Sequence, residues 1–304
     1  MVISFVITSC SFKKMAIESV ADSLSTAGGS IVFTGEDDPQ LVKDALPVLM
    51  KSLEALLDQT PNNPALCLTT GQIFVMYANA FVHTPASMLS DDDFELKDSQ
   101  FRRAKKLYLR GYKYILRGIE LKYPGMTSKL KKDASLSVLS GVQQEDTAYL
   151  YWAVAGWMGA YSTNALDFEV GVGVPIVLVM MNKALELNPA FGKGSIHSFY
   201  ISYYGSLPVA LGGGEEKARY HFKKALEYSN GLSVSAYVSL AASVAVKKQD
   251  VDEYTELLNK ALTIDVDQDP ANRLVNIIMQ DKAKWLLDHK GDKFLLENEK
   301  GEEE

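Results

Sequence analysis

The chain has 304 residues, 47% of them hydrophobic and 23% charged, with a net charge of −7. A chain of this length buries a large core, as one extended unit or as two, and its acidic balance argues against a nucleic-acid binder. No run of about 18 consecutive apolar residues offers a membrane span, two cysteines (Cys10 and Cys67) make no disulfide framework, and His83, His197, His221 and His289 are scattered singly, so neither a metal site nor a cofactor is expected.

The first ten residues read MVISFVITSC. A short apolar run, small residues and then cysteine is how a bacterial lipoprotein signal ends: the small side chains suit the peptidase, and the Cys10 thiol takes the diacylglycerol. The usual cationic n-region is missing, so the true start is expected upstream of Met1. On this reading residues 1–10 are a signal remnant, and the body is periplasmic and lipid-anchored to a membrane, inner or outer being open. The competing reading is a buried N-terminal strand or helix stub with an ordinary cysteine. Residues 11–35 then form a leash and a short helix, with Gly28, Gly29 and Gly35 as breakers.

From Asp38 onward the apolar spacing is helical. Asp38 before Pro39 is an N-cap followed by a first-turn proline, and Leu41, Val42, Ala45, Leu46, Leu49, Leu53, Leu56 and Leu57 recur on one face. Pro61 and Pro64 close this helix and open the next, which is expected to reach about Val82. Asp91, Asp92 and Asp93 read as a solvated loop before a long helix over about 99–123, stopped by Pro124 and Gly125. A lysine-rich linker follows, then an apolar helix near 145–161 and further helices near 168–187, 190–204, 215–229, 232–248, 250–265 and 270–288. The valine-rich stretch after Gly171 has β-branched character, but it flows into KALELNP and is read as a helix from about Pro175. Residues 36–290 are taken as a single helical domain and 291–304 as an acidic tail, disordered at its end.

One phrase recurs: KALELNP at 183–189, KALEYSN at 224–230 and KALTIDV at 260–266, with looser forms RGIELKYP at 117–124 and SLEALLDQTP at 52–61. The aligned Ala184, Ala225 and Ala261 are 41 and 36 residues apart. This is how the second helix of a tetratricopeptide (TPR) hairpin ends: a small residue lets the paired helices touch, and a turn leads into the next hairpin. Against a standard repeat of about 34 residues the spacing is irregular, so the expected fold is all-α, a stack of degenerate TPR-like hairpins resembling an α-solenoid. The competing reading is an irregular bundle with chance Ala-Leu pairs.

Three clusters are candidate sites. Tyr149, Trp152, Trp157 and Tyr161 lie on an uncharged helix interleaved with small residues, and Tyr200, Tyr203 and Tyr204 form a second set; both read either as core packing or as the lining of an apolar channel. Residues 102–132 hold eleven Lys and Arg against one acid, Glu120. Of these, Arg102, Lys106, Arg110, Lys113 and Arg117 fall within an arc of roughly 80°, a stripe suited to a partner, an anionic ligand or lipid headgroups, or else a solvated face paired with Asp91–Asp93. Gly212, Gly213 and Gly214 before a helix read as a tight turn rather than a phosphate cradle, because Glu215 and Glu216 would repel the anion. Cys67, in ALCLTT, reads as a buried inert thiol. No catalytic motif stands out, so no enzyme is expected.

The segment Tyr149-Leu150-Tyr151-Trp152-Ala153-Val154-Ala155-Gly156-Trp157, the stretch from Leu207 to Gly214, the run from Lys217 to Leu226, the KALELNP phrase and Cys10 together resemble the TRAP transporter-associated TPR lipoproteins, the TatT family. The resemblance implies a periplasmic lipoprotein that forms a homotrimer and docks the substrate-binding P component of a TRAP transporter. It also implies a pore through the helical body that passes small apolar or organic-acid ligands. A generic TPR scaffold holding a peptide, for example in envelope assembly, is the alternative.

Overall fold

A computed structural model of the chain describes residues 31–295. Cys10, the rest of the signal remnant and most of the leash lie outside the described residues, as does the end of the acidic tail. Every regular element among the described residues is helical. Two compact units form: residues 31–33 with Asp38–Asn188, and Thr34–Asp37 with residues 189–295.

The first unit holds α1 (Pro39–Gln59), α2 (Pro64–Ala78), α3 (Phe94–Lys122), α4 (Thr147–Thr163) and α5 (Val174–Leu187). Its entries follow the capping rules. The Asp38 carboxylate accepts from the Gln40 and Leu41 amides at 2.9 and 3.1 Å, and the Asn63 side chain accepts from Leu66 N–H at 2.9 Å. Helix α2 continues through a π turn at Asn79–His83 into Thr84–Ser87. Each helix packs on the next in sequence, and α2 also meets α4.

The helices run close together at glycines. A β-carbon on Gly71 of α2 would lie 2.6 Å from the Gly111 carbonyl oxygen of α3, and one on Gly111 would lie 2.6 Å from the Gly71 oxygen. Gly118 sits where the repeated phrase elsewhere carries alanine; a β-carbon there would meet Pro64 O at 3.0 Å and Cys67 Cβ at 3.2 Å. Contacts from 64 and 67 to 118, 71 to 111 and 79 to 108 make the pair antiparallel. On α4, Gly156 and Gly159 leave room for Tyr108 and Tyr112 of α3.

The second unit holds α6 (Ser195–Ser206), α7 (Glu215–Tyr228), α8 (Val234–Leu240), α9 (Val251–Thr263) and α10 (Arg273–Asp288). Helix α8 also runs on through a π turn, Ala241–Ala245. Here α6 packs on α7 and α8, α7 on α8, α8 on α9 and α10, and α9 on α10. The repeated phrase ends α5, α7 and α9, and its alanines Ala184, Ala225 and Ala261 are wholly buried. Asn276 of α10 holds the start of α8, accepting from Val234 N–H at 3.3 Å and donating to Leu232 O at 3.1 Å.

Four boundaries differ from the sequence expectation. Helix α6, expected from about 190, begins at Ser195 after a 3-10 turn over Phe191–Lys193. Helix α3 begins at Phe94, about a turn and a half before the expected start, because Ser90 caps a 3-10 turn of Asp91–Asp93 that leads straight into it. The lysine-rich linker contains a helix, Met126–Lys132, which buries Met126 and Leu130. Its amino end is held by Glu120, which accepts from Gly125 N–H and from the Thr127 amide and hydroxyl. The helix expected over 168–187 is split into Phe168–Gly171 and α5, with the Trp157 ring against Gly173. Pro64–Ser87 and Phe168–Leu187 are long and apolar enough to cross a membrane. The first is the core helix of its unit, packed between α1, α3 and α4, and the second packs α5 on α4.

The glycine contact makes a stability prediction. Gly111→Ala drives a methyl group into the Gly71 carbonyl and is expected to cost about 2–3 kcal/mol in urea unfolding. Gly141→Ala, with nothing within 4 Å of the added carbon, is expected to stay within about 0.5 kcal/mol of wild type.

Candidate functional site

The seven aromatic candidates divide between the two units, four on α4 and three on α6. On α4, Tyr149 is buried beneath Gly118, and its ring lies 5.5 Å from the Lys122 ammonium. Trp157 donates from Nε1 to Val170 O at 3.0 Å and packs on Tyr112 at 4.8 Å between ring centroids. Trp152 is half-buried and meets Tyr151 edge-on at 5.2 Å. Tyr161 is half-buried at the carboxyl end of the helix.

On α6 the spacing 197, 200, 204 puts one histidine and two tyrosines on the face turned to α7. His197 and His221 meet there, Nδ1 to Nδ1 at 2.8 Å. Tyr228 stacks on His197 at 5.4 Å; Tyr200 and Tyr204 stack on His221 at 4.8 and 5.5 Å. Tyr203 meets Tyr204 edge-on, and Lys217 lies 5.2 Å from the Tyr204 ring. Burial pushes both histidines down to about 4, Lys224 adding to the effect on His197 and His197 to that on His221. Burial also pushes the Tyr200 hydroxyl upward. The histidines that read as scattered singly are thus paired by the α6–α7 hairpin. The i, i+3, i+7 run of His197, Tyr200 and Tyr204 was the available sign, but nothing local to it points to His221.

The basic stripe on α3 is partly committed to the fold. Arg102 pairs with Asp98, Arg117 donates to Pro61 O, and Arg110 pairs with Glu54 of α1 at 2.5 Å. Glu54 also accepts from Tyr114 at 2.7 Å and pairs with Lys51. Burial alone would raise the Glu54 carboxyl; Lys51, Tyr114 and Arg110 outweigh it and hold the group below the usual range. Lys106 and Lys113 are exposed, with no ion-pair partner among the described residues. Asp91 pairs with Lys97 at 2.8 Å. Cys67 is fully buried and its thiol is pushed up to about 11 by burial, so it is protonated and inert. The Gly212–Gly214 segment is a closed turn, with Gly212 N–H on Val209 O and Gly214 N–H on Tyr204 O.

The family model described as TRAP transporter T-component matches residues 35–294, which spans both units. The chain belongs to the TRAP transporter T-component family. It is also similar to an uncharacterized protein of Treponema pallidum (strain Nichols), 34% identical over 301 residues, covering 94% of this chain and 93% of that one. Membership makes this T-component an accessory of TRAP transport, in a family of transporter components and not of enzymes.

The described residues bring together aromatic rings with polar edges, a buried histidine pair and, on the α3 stripe, Lys106 and Lys113 without an ion-pair partner. The histidine pair carries a pH consequence. An unfolded histidine titrates near about 6.5, so the fold holds fewer protons than the unfolded chain between about pH 6.5 and 4. The stability from keeping both rings neutral is complete above about pH 6.5 and is lost as pH falls toward 4. Between about pH 7 and 4.5, wild type is expected to lose about 4–5 kcal/mol more unfolding free energy than His197→Gln/His221→Gln, about half from each ring. Equal losses in urea titrations of the two proteins would contradict it.

Proposed function

We propose that the chain is a periplasmic lipoprotein, anchored through Cys10, whose TPR-like hairpins dock the substrate-binding P component of a TRAP transporter and offer it an apolar conduit for small hydrophobic or organic-acid ligands. The family match carries this reading. Three features support it. Successive helices pair, and the first helices of neighbouring hairpins touch (α2 with α4, α6 with α8), which is the contact order of stacked helical repeats. The repeated alanine phrase closes the second helix of three hairpins. Two aromatic clusters, on α4 and on α6–α7, set half-buried rings (Trp152, Trp157, Tyr161, Tyr203 and Tyr204) beside the buried Tyr149 and Tyr200, apolar faces with polar edges. Assembly as a homotrimer belongs to the same reading.

In the mechanism, Lys106 and Lys113 steer an acidic face of the partner into register, and docking aligns the two ligand paths. Arg102, Arg110 and Arg117 contribute less, since their charges already serve α3 and its contacts. Ligand then moves between aromatic and aliphatic side chains without any covalent step.

The test is capture of a TRAP substrate-binding protein, sought first among the products of the neighbouring genes. Lys106→Glu/Lys113→Glu is expected to slow its association about tenfold at low salt, with the difference shrinking as salt rises. The double variant should leave helicity unchanged, because neither lysine is bonded within its unit. No association of the wild-type chain with that partner would remove the docking reading.

A further inference from the structure

Resting on the reading that this T-component handles small organic acids, we propose that the His197–His221 pair is the polar end of a binding site for an apolar monocarboxylic acid, taken up together with one proton. His197 and His221 are only 3% and 7% exposed. Their Nδ1 atoms, 2.8 Å apart, need one hydrogen between them, so the neutral pair is one Nδ1–H donor and one Nδ1 acceptor. When His197 donates, its Nε2 is a bare lone pair. That nitrogen is buried and has no hydrogen-bond partner, an unfavourable arrangement that favours a guest bringing a proton.

A carboxylic acid is such a guest. Its O–H meets Nε2, the proton passes to nitrogen, and the O–H electron pair stays on the carboxylate. His197 is then an imidazolium that donates Nε2–H to the carboxylate and Nδ1–H to His221. The free acid is ionised at neutral pH, so the balance is carboxylate plus one solvent proton plus neutral pair, giving an ion pair of zero net charge. Zero net charge suits the walls, where Tyr228 lies on His197 and Tyr200 and Tyr204 lie on His221.

No other charged group nearby supplies this proton; Lys224 opposes the imidazolium and Glu227 favours it. On α7, Lys224 is paired with Glu227 at 2.6 Å, Lys217 donates to Gly212 O, and Tyr220 meets His221 edge-on. On α6, Tyr203 lies beside Tyr204. On α8, Tyr237 packs on Phe222, and past its π turn Lys247 donates to the Gly205 and Leu207 carbonyls. Among the described residues no carboxylate bonds to either imidazole.

The experiment is calorimetric titration of the full chain with octanoate in phosphate and in Tris, whose different proton-release heats count the protons exchanged. Octanamide serves as the uncharged control. At about pH 7.5 octanoate is expected to bind with uptake of about one proton, and its affinity to fall about tenfold per pH unit on going to pH 9. Octanamide binding should be independent of pH. In His197→Gln the uptake should vanish, with folding checked by circular dichroism; the wild-type proton count stands without the variant. Octanoate binding with no proton uptake overturns the proposal, as does uptake that survives His197→Gln. If octanamide binds and octanoate does not, the proposal falls and the conduit reading stands. If neither probe binds, the conduit reading fails and the proposal with it.

Discussion

The structure depends on helices approaching at residues that have almost no side chain. At Gly71 and Gly111 each backbone occupies the space where the other's β-carbon would stand. Ala184, Ala225 and Ala261 lie fully buried near the ends of the second helices of three hairpins. Close approach brings the flanking large side chains into contact over a long stretch, where dispersion and burial outweigh the entropy of fixing them. It also leaves little freedom in register, so residues far apart in sequence meet at set points along each hairpin.

That fixed register explains how charge is used. Arg110 reaches Glu54 because α1 and α3 flank α2, and the pair is reinforced by Tyr114 and Lys51. Lys122 reaches the buried Asp146, which also accepts from Tyr123. These carboxylates are removed from water and would be costly without their partners. Cations that looked like one continuous stripe therefore serve two purposes. Some fasten helices, while Lys106 and Lys113 keep their charge available to whatever approaches α3.

Much of this was legible in the sequence. The 3.6-residue apolar spacing places the helices, Asp38-Pro39 and Pro64 mark two of their starts, and the alanine phrase marks the closing ends of three hairpins. The reading failed where a side chain's partner, near or far in sequence, decides its role. Glu120 reaches forward to hold the start of the Met126–Lys132 helix, so lysines that read as a linker are helical. Asp98 and Glu54 neutralise part of the stripe, and Glu54 lies 56 residues before its partner Arg110. His197 and His221 pair only because α6 and α7 fold back on one another; each alone is an ordinary histidine on a helix.

The central claim is that ligand passes directly from this chain to a docked partner. Stopped-flow transfer of a fluorescent fatty acid from the loaded chain to the TRAP substrate-binding protein tests it most directly. Hand-off through docking predicts a transfer rate that rises with partner concentration until the complex saturates. A rate fixed at that of ligand escape into water, whatever the partner concentration, would contradict it.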